Sequence, residues 1–205
     1  KKIQDDSIRF ADGMTAVTEG FRQELMKNLN VTTPNMTLYN GYEPVSAQES
    51  YPVEPDVFSF CYTGILYGQH SDFTPLMLAL QRLAKEGRID LAKVRINYAG
   101  RDFIQLQEIA ENLSMTDILV NHGYVSRGEA LRLQQISDVF LVLAWNRNDS
   151  QGIMPAKFYE GIRAKRTILS LVSGDRSGSE LHMINEMYGY GFCYEASRDK
   201  AHFDR

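Results

Sequence analysis

The stretch 138-DVFLVLAWNRNDSQGIMPAKFYEGIRAKRTILSLVSG-174 decides the fold. Its apolar run 139-VFLVLA-144 is too short for a buried helix and shows no polar alternation, which marks a strand covered on both faces. The polar 146-NRND-149 ends that run, and 151-QGIMPAKFYEG-161 then supplies a glycine, a proline suited to the first helical turn and a carboxylate one turn on. The spacing predicts a helix over 155–164 and a second strand at 167-TILSLVSG-174. Strand, helix and strand in this succession make a parallel crossover unit.

The same alternation runs outward in both directions. Downstream lie a helix over 178–187 and a strand 191-GFCYE-195. Upstream lie strands 57-VFSFCYTG-64, 92-AKVRINYAG-100 and 117-DILVNHG-123, with helices over 74–85, 103–113 and 127–134. Six strands with interposed helices imply an α/β fold, a doubly wound parallel sheet covered on both faces. In the strand order 3-2-1-4-5-6 the first and fourth strands are neighbours, and their following loops open a crevice at the carboxyl edge. Loop 63-TGILYGQHSD-72 then faces loop 145-WNRNDSQGIM-154, and 151–161 forms a wall of the ligand site.

Residues 8–55 read differently. A short strand within 8–16, a helix capped by Thr18 and running to about 28, and a strand in 35-NMTLYNGYEP-44 ended by an Asn-Gly turn precede the polar, proline-containing 45-VSAQESYPVEPD-56. The divisions expected are a first piece over 1–44, a linker over 45–56, the main domain over 57–195 and a terminal segment over 196–205.

A chain of 205 residues, 43% hydrophobic, holds enough apolar material for one large domain without covalent staples. Cys61 and Cys193 lie in or near apolar runs and read as buried reduced thiols, in keeping with a cytoplasmic location. Three Asn-X-Ser/Thr matches, at Asn30, Asn35 and Asn112, read as chance. Lys plus Arg number 22 against 26 Asp plus Glu, a net charge of -4 with no basic block, which argues against a nucleic-acid partner. No run reaches the roughly 18–20 apolar residues that span a bilayer. A local diphosphate site remains compatible with this balance.

Several residues have the chemistry for such a site. Gly64 and Gly68 bracket the first loop, and Gly64 at a strand end permits close backbone approach to an anion; an ordinary tight turn accounts for them equally well. Neither GxGxxG nor a P-loop is present. Arg101, after Gly100, suits bidentate phosphate binding, or a surface pair with Asp102 or Glu108. In 121-NHGYVSRGEAL-131, the Gly123, Tyr124 and Val125 turn offers an apolar contact and edge hydrogen bonds to a flat base, while Ser126 and Glu129 read as a capping box. His122 has no partner at metal-ligand spacing. On the helix after Pro155, three- and four-residue spacing sets Lys157, Glu160, Gly161 and Ala164 along one side, with Phe158 and Ile162 toward the core. Lys157 in the first turn opposes the helix dipole unless an anion lies close, and Glu160 can accept from vicinal ribose hydroxyls. An ordinary Lys157–Glu160 or Glu160–Arg163 surface pair is the alternative.

Taken in order, 60-FCYTGILY-67, 98-YAGR-101, 121-NHGYVSRGEAL-131, 137-SDVFLVLAW-145 and 152-GIMPAKFYEGIRAKRTILSLV-172 resemble the carboxyl-terminal donor-binding lobe of the group 1, or family 4, retaining glycosyltransferases, which have two facing Rossmann-like lobes, the GT-B fold. The preceding 10-FADGMTAVTEGFRQEL-25 and 37-TLYNGYEP-44 resemble that family's last amino-lobe strand and helix and its crossover, so the resemblance covers nearly the whole chain. It implies a UDP-, GDP- or ADP-sugar donor as substrate, no metal and no separate cofactor, and an acceptor sugar, glycan or glycolipid held mainly by an amino-terminal lobe almost wholly outside this chain. It also implies a role in polysaccharide biosynthesis, with peripheral membrane association open to the full-length protein. Glu160 then matches the carboxylate that binds the donor ribose. Gly152, Ile153, Met154 and Pro155 match the sugar and diphosphate loop, Gly64 lies near the diphosphate, and Gly123, Tyr124 and Val125 lie beside the base. Arg101 and Lys157 stand as displaced candidates for the diphosphate-neutralising pair, since His70 and Ser71 occupy the neighbourhood of the usual lysine. Many members carry a further glutamate eight residues before the ribose-binding one; here that residue is Gly152. A non-catalytic nucleotide or nucleotide-sugar binding module is the alternative, and an NAD-dependent enzyme lacks its glycine fingerprint.

Overall fold

The computed structural model describes Ser7 and residues 10–44, 51–53 and 56–203. Much of the expected 45–56 linker, and Ile8 and Arg9 of the first expected strand, lie outside the described residues. Two sheets are present among those described. A small one pairs β1 (Met14–Ala16) with β2 (Asn35–Thr37) in parallel, joined by α1 (Glu19–Leu29). The large one holds β3 (Phe58–Thr63), β4 (Val94–Ala99), β5 (Leu119–Gly123), β6 (Val139–Trp145), β7 (Thr167–Ser173) and β8 (Gly191–Glu195). Its spatial order is β5-β4-β3-β6-β7-β8, parallel throughout. The doubly wound arrangement expected from the sequence is therefore the one observed, and β3 and β6 are neighbours through Phe60 and Val139 and through Cys61 and Phe140.

The helices are α2 (Thr74–Lys85), α3 (Phe103–Leu113), α4 (Arg127–Ile136), α5 (Ala156–Ala164), α6 (Glu180–Tyr188) and α7 (Ala196–Phe203). Strand β6 shows why both faces must be covered. Val139, Leu141 and Leu143 enter the core beneath α2 and α3 with Phe60, Ile96, Met77 and Leu106, whereas Phe140, Val142 and Ala144 pack against Phe158, Ile168 and Leu181 on the other side. Alternation along an extended chain sends successive side chains to opposite faces, so an unbroken apolar run is what a central strand requires. Cys61 is fully buried, and burial pushes its thiol up to about 12; Cys193 is partly buried, and both are free thiols.

Two local expectations are corrected. Pro155 is the N-cap of α5 and not its first helical residue: its ψ of 147° is extended, and its carbonyl accepts from Phe158 N at 3.0 Å. Gly161 and Ala164 do not share the outer side with Lys157 and Glu160. Both are buried, and a Cβ on Gly161 would come within 2.8 Å of Phe140 and 2.9 Å of Ile168. Each residue turns an α-helix by about 100°, so Gly161 rotates away from its neighbour Glu160 onto the sheet. Part of the expected terminal segment forms α7, whose Asp199 accepts from Glu195 N at 2.8 Å.

Helix α1 is tied to the large domain at its amino end. Thr18 caps it, accepting from Phe21 N, and donates its hydroxyl to Gly152 O at 2.8 Å. The buried Glu180 carboxylate accepts from Glu19 N at 2.8 Å and Gly20 N at 3.1 Å, supplying from another element the partners that first-turn amides lack. Tyr39 OH donates to the same carboxylate.

Candidate functional site

The carboxyl ends of β3, β4 and β5 are stapled side by side: Gly64 N donates to Ala99 O at 2.8 Å and Gly100 N to Gly123 O at 2.9 Å. Glycine is required at this seam. A Cβ on Gly100 would stand 2.1 Å from Gly64 O, and one on Gly64, whose φ is +143°, would stand 2.8 Å from Lys157 Cε. The stem of Lys157 thus crosses directly over the Gly64 backbone. Above these strand ends opens a cleft of about 710 Å³, walled by the loops after the three strands and by one face each of α4 and α5. That volume lies within the roughly 300–1,000 Å³ of small-molecule sites.

The lining is basic although the chain is acidic. Arg101, Arg127, Lys157 and Arg163 face the cleft together with one carboxylate, Glu160. The Arg101 guanidinium lies 4.8 Å from the centre of the exposed Tyr124 ring, so the two cover one end of the cleft as a unit. At the other end, Lys157 Nζ donates to both Glu160 oxygens at 2.9 Å. The surface-pair alternative for these residues therefore describes a real contact, one that stands inside the cleft with both side chains partly exposed. Gln134 Nε2 donates at 2.8 Å to Glu160 Oε2 and at 2.8 Å to Thr63 Oγ1.

Gly64, Arg101, Tyr124, Val125, Lys157 and Glu160, six of the residues singled out in the sequence, come together here. Gly123, with a φ of +65°, ends β5 just outside the lining, its amide donating to Asn121 Oδ1 at 2.9 Å. The loop after β6 behaves differently. None of residues 145–156 lines the cleft. Gly152 sits against the amino end of α1 in a separate shallow groove of about 130 Å³, with Glu19, Gly20, Asn146 and Arg176. Met154 is buried, accepting from Tyr159 OH at its sulfur at 2.9 Å, and Ile153 and Pro155 are half-buried beside it. The loop after β3 meets the end of β6 through the His70 and Trp145 rings at 4.9 Å, and the buried Ser71 accepts from Tyr67 N at 2.9 Å. Neither His70 nor Ser71 lines the cleft.

Residues the sequence reading did not single out include Thr63, Arg127, Ala130, Leu131 and Gln134. Four of them follow a signal that was available: Arg127, Ala130, Leu131 and Gln134 stand at i, i+3, i+4 and i+7, one stripe of α4. The capping-box glutamate of that helix is only half used as expected. Ser126 Oγ accepts from Glu129 N at 3.2 Å, but the Glu129 carboxylate pairs with Arg132 at 2.8 Å. Among the described residues there is no group of His, Cys, Asp and Glu that could hold a metal, and no helix is long and apolar enough to cross a membrane.

A basic cleft at the switch point of a doubly wound parallel sheet defines the class as a Rossmann-like α/β domain. Known structures agree on the fold. The chain is similar to the lipopolysaccharide outer core galactosyltransferase WaaB (15% identity over 96% of this chain and 52% of that one, TM-score 0.64). It is similar to sucrose-phosphate synthase from Thermosynechococcus elongatus (10% identity, 99% and 50%, TM-score 0.67) and to Anabaena HepE in complex with UDP and glucose (11% identity, 99% and 56%, TM-score 0.65). It thus has the fold of one part of each of these proteins and spans about half their length. No family model and no curated protein matches the sequence.

Proposed function

We propose that the cleft binds the nucleoside diphosphate portion of a nucleotide sugar, and that the chain is the donor-binding lobe of a retaining glycosyltransferase that moves the sugar to an acceptor hydroxyl. The observation that carries this is the composition of the cleft: four basic side chains and a single carboxylate over the strand ends at Gly64 and Gly100, in a chain of net charge -4. Guanidinium and ammonium groups there suit a diphosphate, Glu160 suits a ribose diol, and the turn of Gly123, Tyr124 and Val125 suits the base.

In transfer, negative charge grows on the departing diphosphate as the glycosyl bond breaks. Arg101 and Lys157 stand ready to stabilise that charge, and a fixed cation helps most where charge develops. The acceptor hydroxyl must meet the anomeric carbon from a facing wall. That wall belongs to a second lobe in this proposal, so the 205 residues alone bind donor and transfer little. A second reading, a binding module without transfer, is favoured by Gly152, which has no side chain to position a donor sugar and lies outside the cleft.

Titration of the chain with UDP-, GDP- and ADP-sugars tests the proposal. Saturable binding of at least one series, competed by the matching nucleoside diphosphate, is expected; absence of binding in all three overturns it. Radiolabel transfer by the longer protein separates the enzyme from the binding module.

A further inference from the structure

We propose that Gln134 is a positioning residue that keeps the Glu160 carboxylate in place for a ribose diol while Lys157 is drawn off to the diphosphate. The inference rests on the nucleotide-binding function above.

Gln134 is 2% exposed, yet it lines the cleft from beneath. Both hydrogens of its amide nitrogen are committed, one to Thr63 Oγ1 and one to Glu160 Oε2, each at 2.8 Å. Turning the amide over would set its carbonyl against a carboxylate, acceptor on acceptor, so the charge of Glu160 fixes which way Gln134 faces. In that orientation Gln134 Oε1 is buried with no hydrogen-bond partner. A polar side chain that leaves one atom unpaired adds less to a core than a leucine would, so its use at this position points to the site and not to packing.

Lys157 explains the need. Its Nζ bonds both carboxylate oxygens at 2.9 Å, and its stem lies over Gly64, where the proposed diphosphate would rest. A carboxylate engaged on both oxygens by an ammonium has little capacity left for a diol. A diphosphate above Gly64 competes for that ammonium and releases the oxygens, but it also removes the contact that held them still. Gln134 is uncharged and buried, so an incoming anion does not displace it. Its amide, anchored on Thr63, keeps the carboxylate aimed after the lysine has moved.

The test measures binding of UDP, GDP and ADP, each beside its 2′,3′-dideoxy counterpart, to the full chain and to Gln134→Met, Thr63→Val and Glu160→Ala, with thermal unfolding recorded for each. The unsubstituted chain is expected to favour the ribonucleotide by about tenfold or more, as loss of a charge-assisted hydrogen bond implies. Gln134→Met is expected to lose most of that preference while its affinity for the dideoxy compound stays the same, and Thr63→Val to lose part of it. Should Gln134→Met not fold, the Thr63→Val ratio decides. A full preference in Gln134→Met, or an equal weakening of both ligands, overturns the positioning role and leaves the function of Glu160 standing, provided Glu160→Ala abolishes the preference. No preference in the unsubstituted chain overturns the ribose role of Glu160, and this inference with it.

Discussion

Replacing Gly152 with glutamate is expected to destabilise the protein and not to add a sugar-positioning carboxylate to the site. The resemblance to family 4 enzymes makes this the obvious substitution to try, since many of them carry a glutamate eight residues before the ribose-binding one. The geometry opposes it. Gly152 has a φ of +72°, and a Cβ there would stand 2.4 Å from Phe21 N and 2.8 Å from Gly20 C. Those are backbone atoms, which cannot swing aside as a side chain does. The left-handed conformation costs a non-glycine residue roughly 1–2 kcal/mol, and overpacking roughly 1–3 kcal/mol more. Relief by shifting α1 would break the Thr18 bond to Gly152 O and the Glu180 bonds to the α1 amides. A loss of about 2 kcal/mol or more corresponds to a melting temperature lower by roughly 4–8 °C for a chain of this size. Gly152→Ala should fall in the same direction, because the obstruction is the Cβ and not the charge. Tighter donor binding by Gly152→Glu at unchanged stability would contradict this account of the loop.

Glu160→Ala is expected to weaken nucleoside diphosphate binding by about ten- to a hundredfold, the worth of one or two hydrogen bonds to a charged group. The partly exposed Lys157–Glu160 pair contributes only roughly 0–1 kcal/mol to folding, but one hydrogen of the buried Gln134 amide loses its acceptor, so a stability loss of about 1–3 kcal/mol is expected as well. Freeing Lys157 works in the opposite sense, since an unpaired ammonium over Gly64 attracts phosphate more strongly. Glu160→Gln is the cleaner companion: it keeps the shape and removes the charge that a diol recognises. If Lys157 and Glu160 were only a surface pair beside a phosphate site, Glu160→Ala would bind the diphosphate more tightly. Isothermal titration with the preferred nucleoside diphosphate distinguishes the two signs.

The strand order was legible because six short apolar runs alternated with helical stretches, and 139–144 had no polar face to give to solvent. Helices α2 and α3 were bounded as found, since apolar spacing and their flanking residues agree. Half of the cleft was legible for a related reason: Gly64, Arg101, Tyr124 and Glu160 all sit just past a strand or one turn into a helix, where the topology makes a crevice. The floor was not. Thr63 is the last residue of β3, and Gln134 lies near the end of α4, 71 positions away in sequence; only the sheet order brings them together. The loop 145–154 follows a strand that borders the switch point, so the sequence points it toward the crevice. In the structure Thr18 ties it to α1, whose amino end Glu180 holds in turn, and no local pattern announces the long-range partners of either side chain.

The most direct measurement is a map of backbone amide shifts as UDP, GDP or ADP is titrated into the isotopically labelled chain. Changes concentrated at Gly64, Gly100, Arg101, Tyr124, Lys157 and Glu160, saturating together, are the result expected if the crevice beside β3 takes the nucleotide. Changes concentrated instead at Gly20, Gly152 and Gly178, in the groove against α1, would contradict it, as would a spectrum that no nucleotide alters.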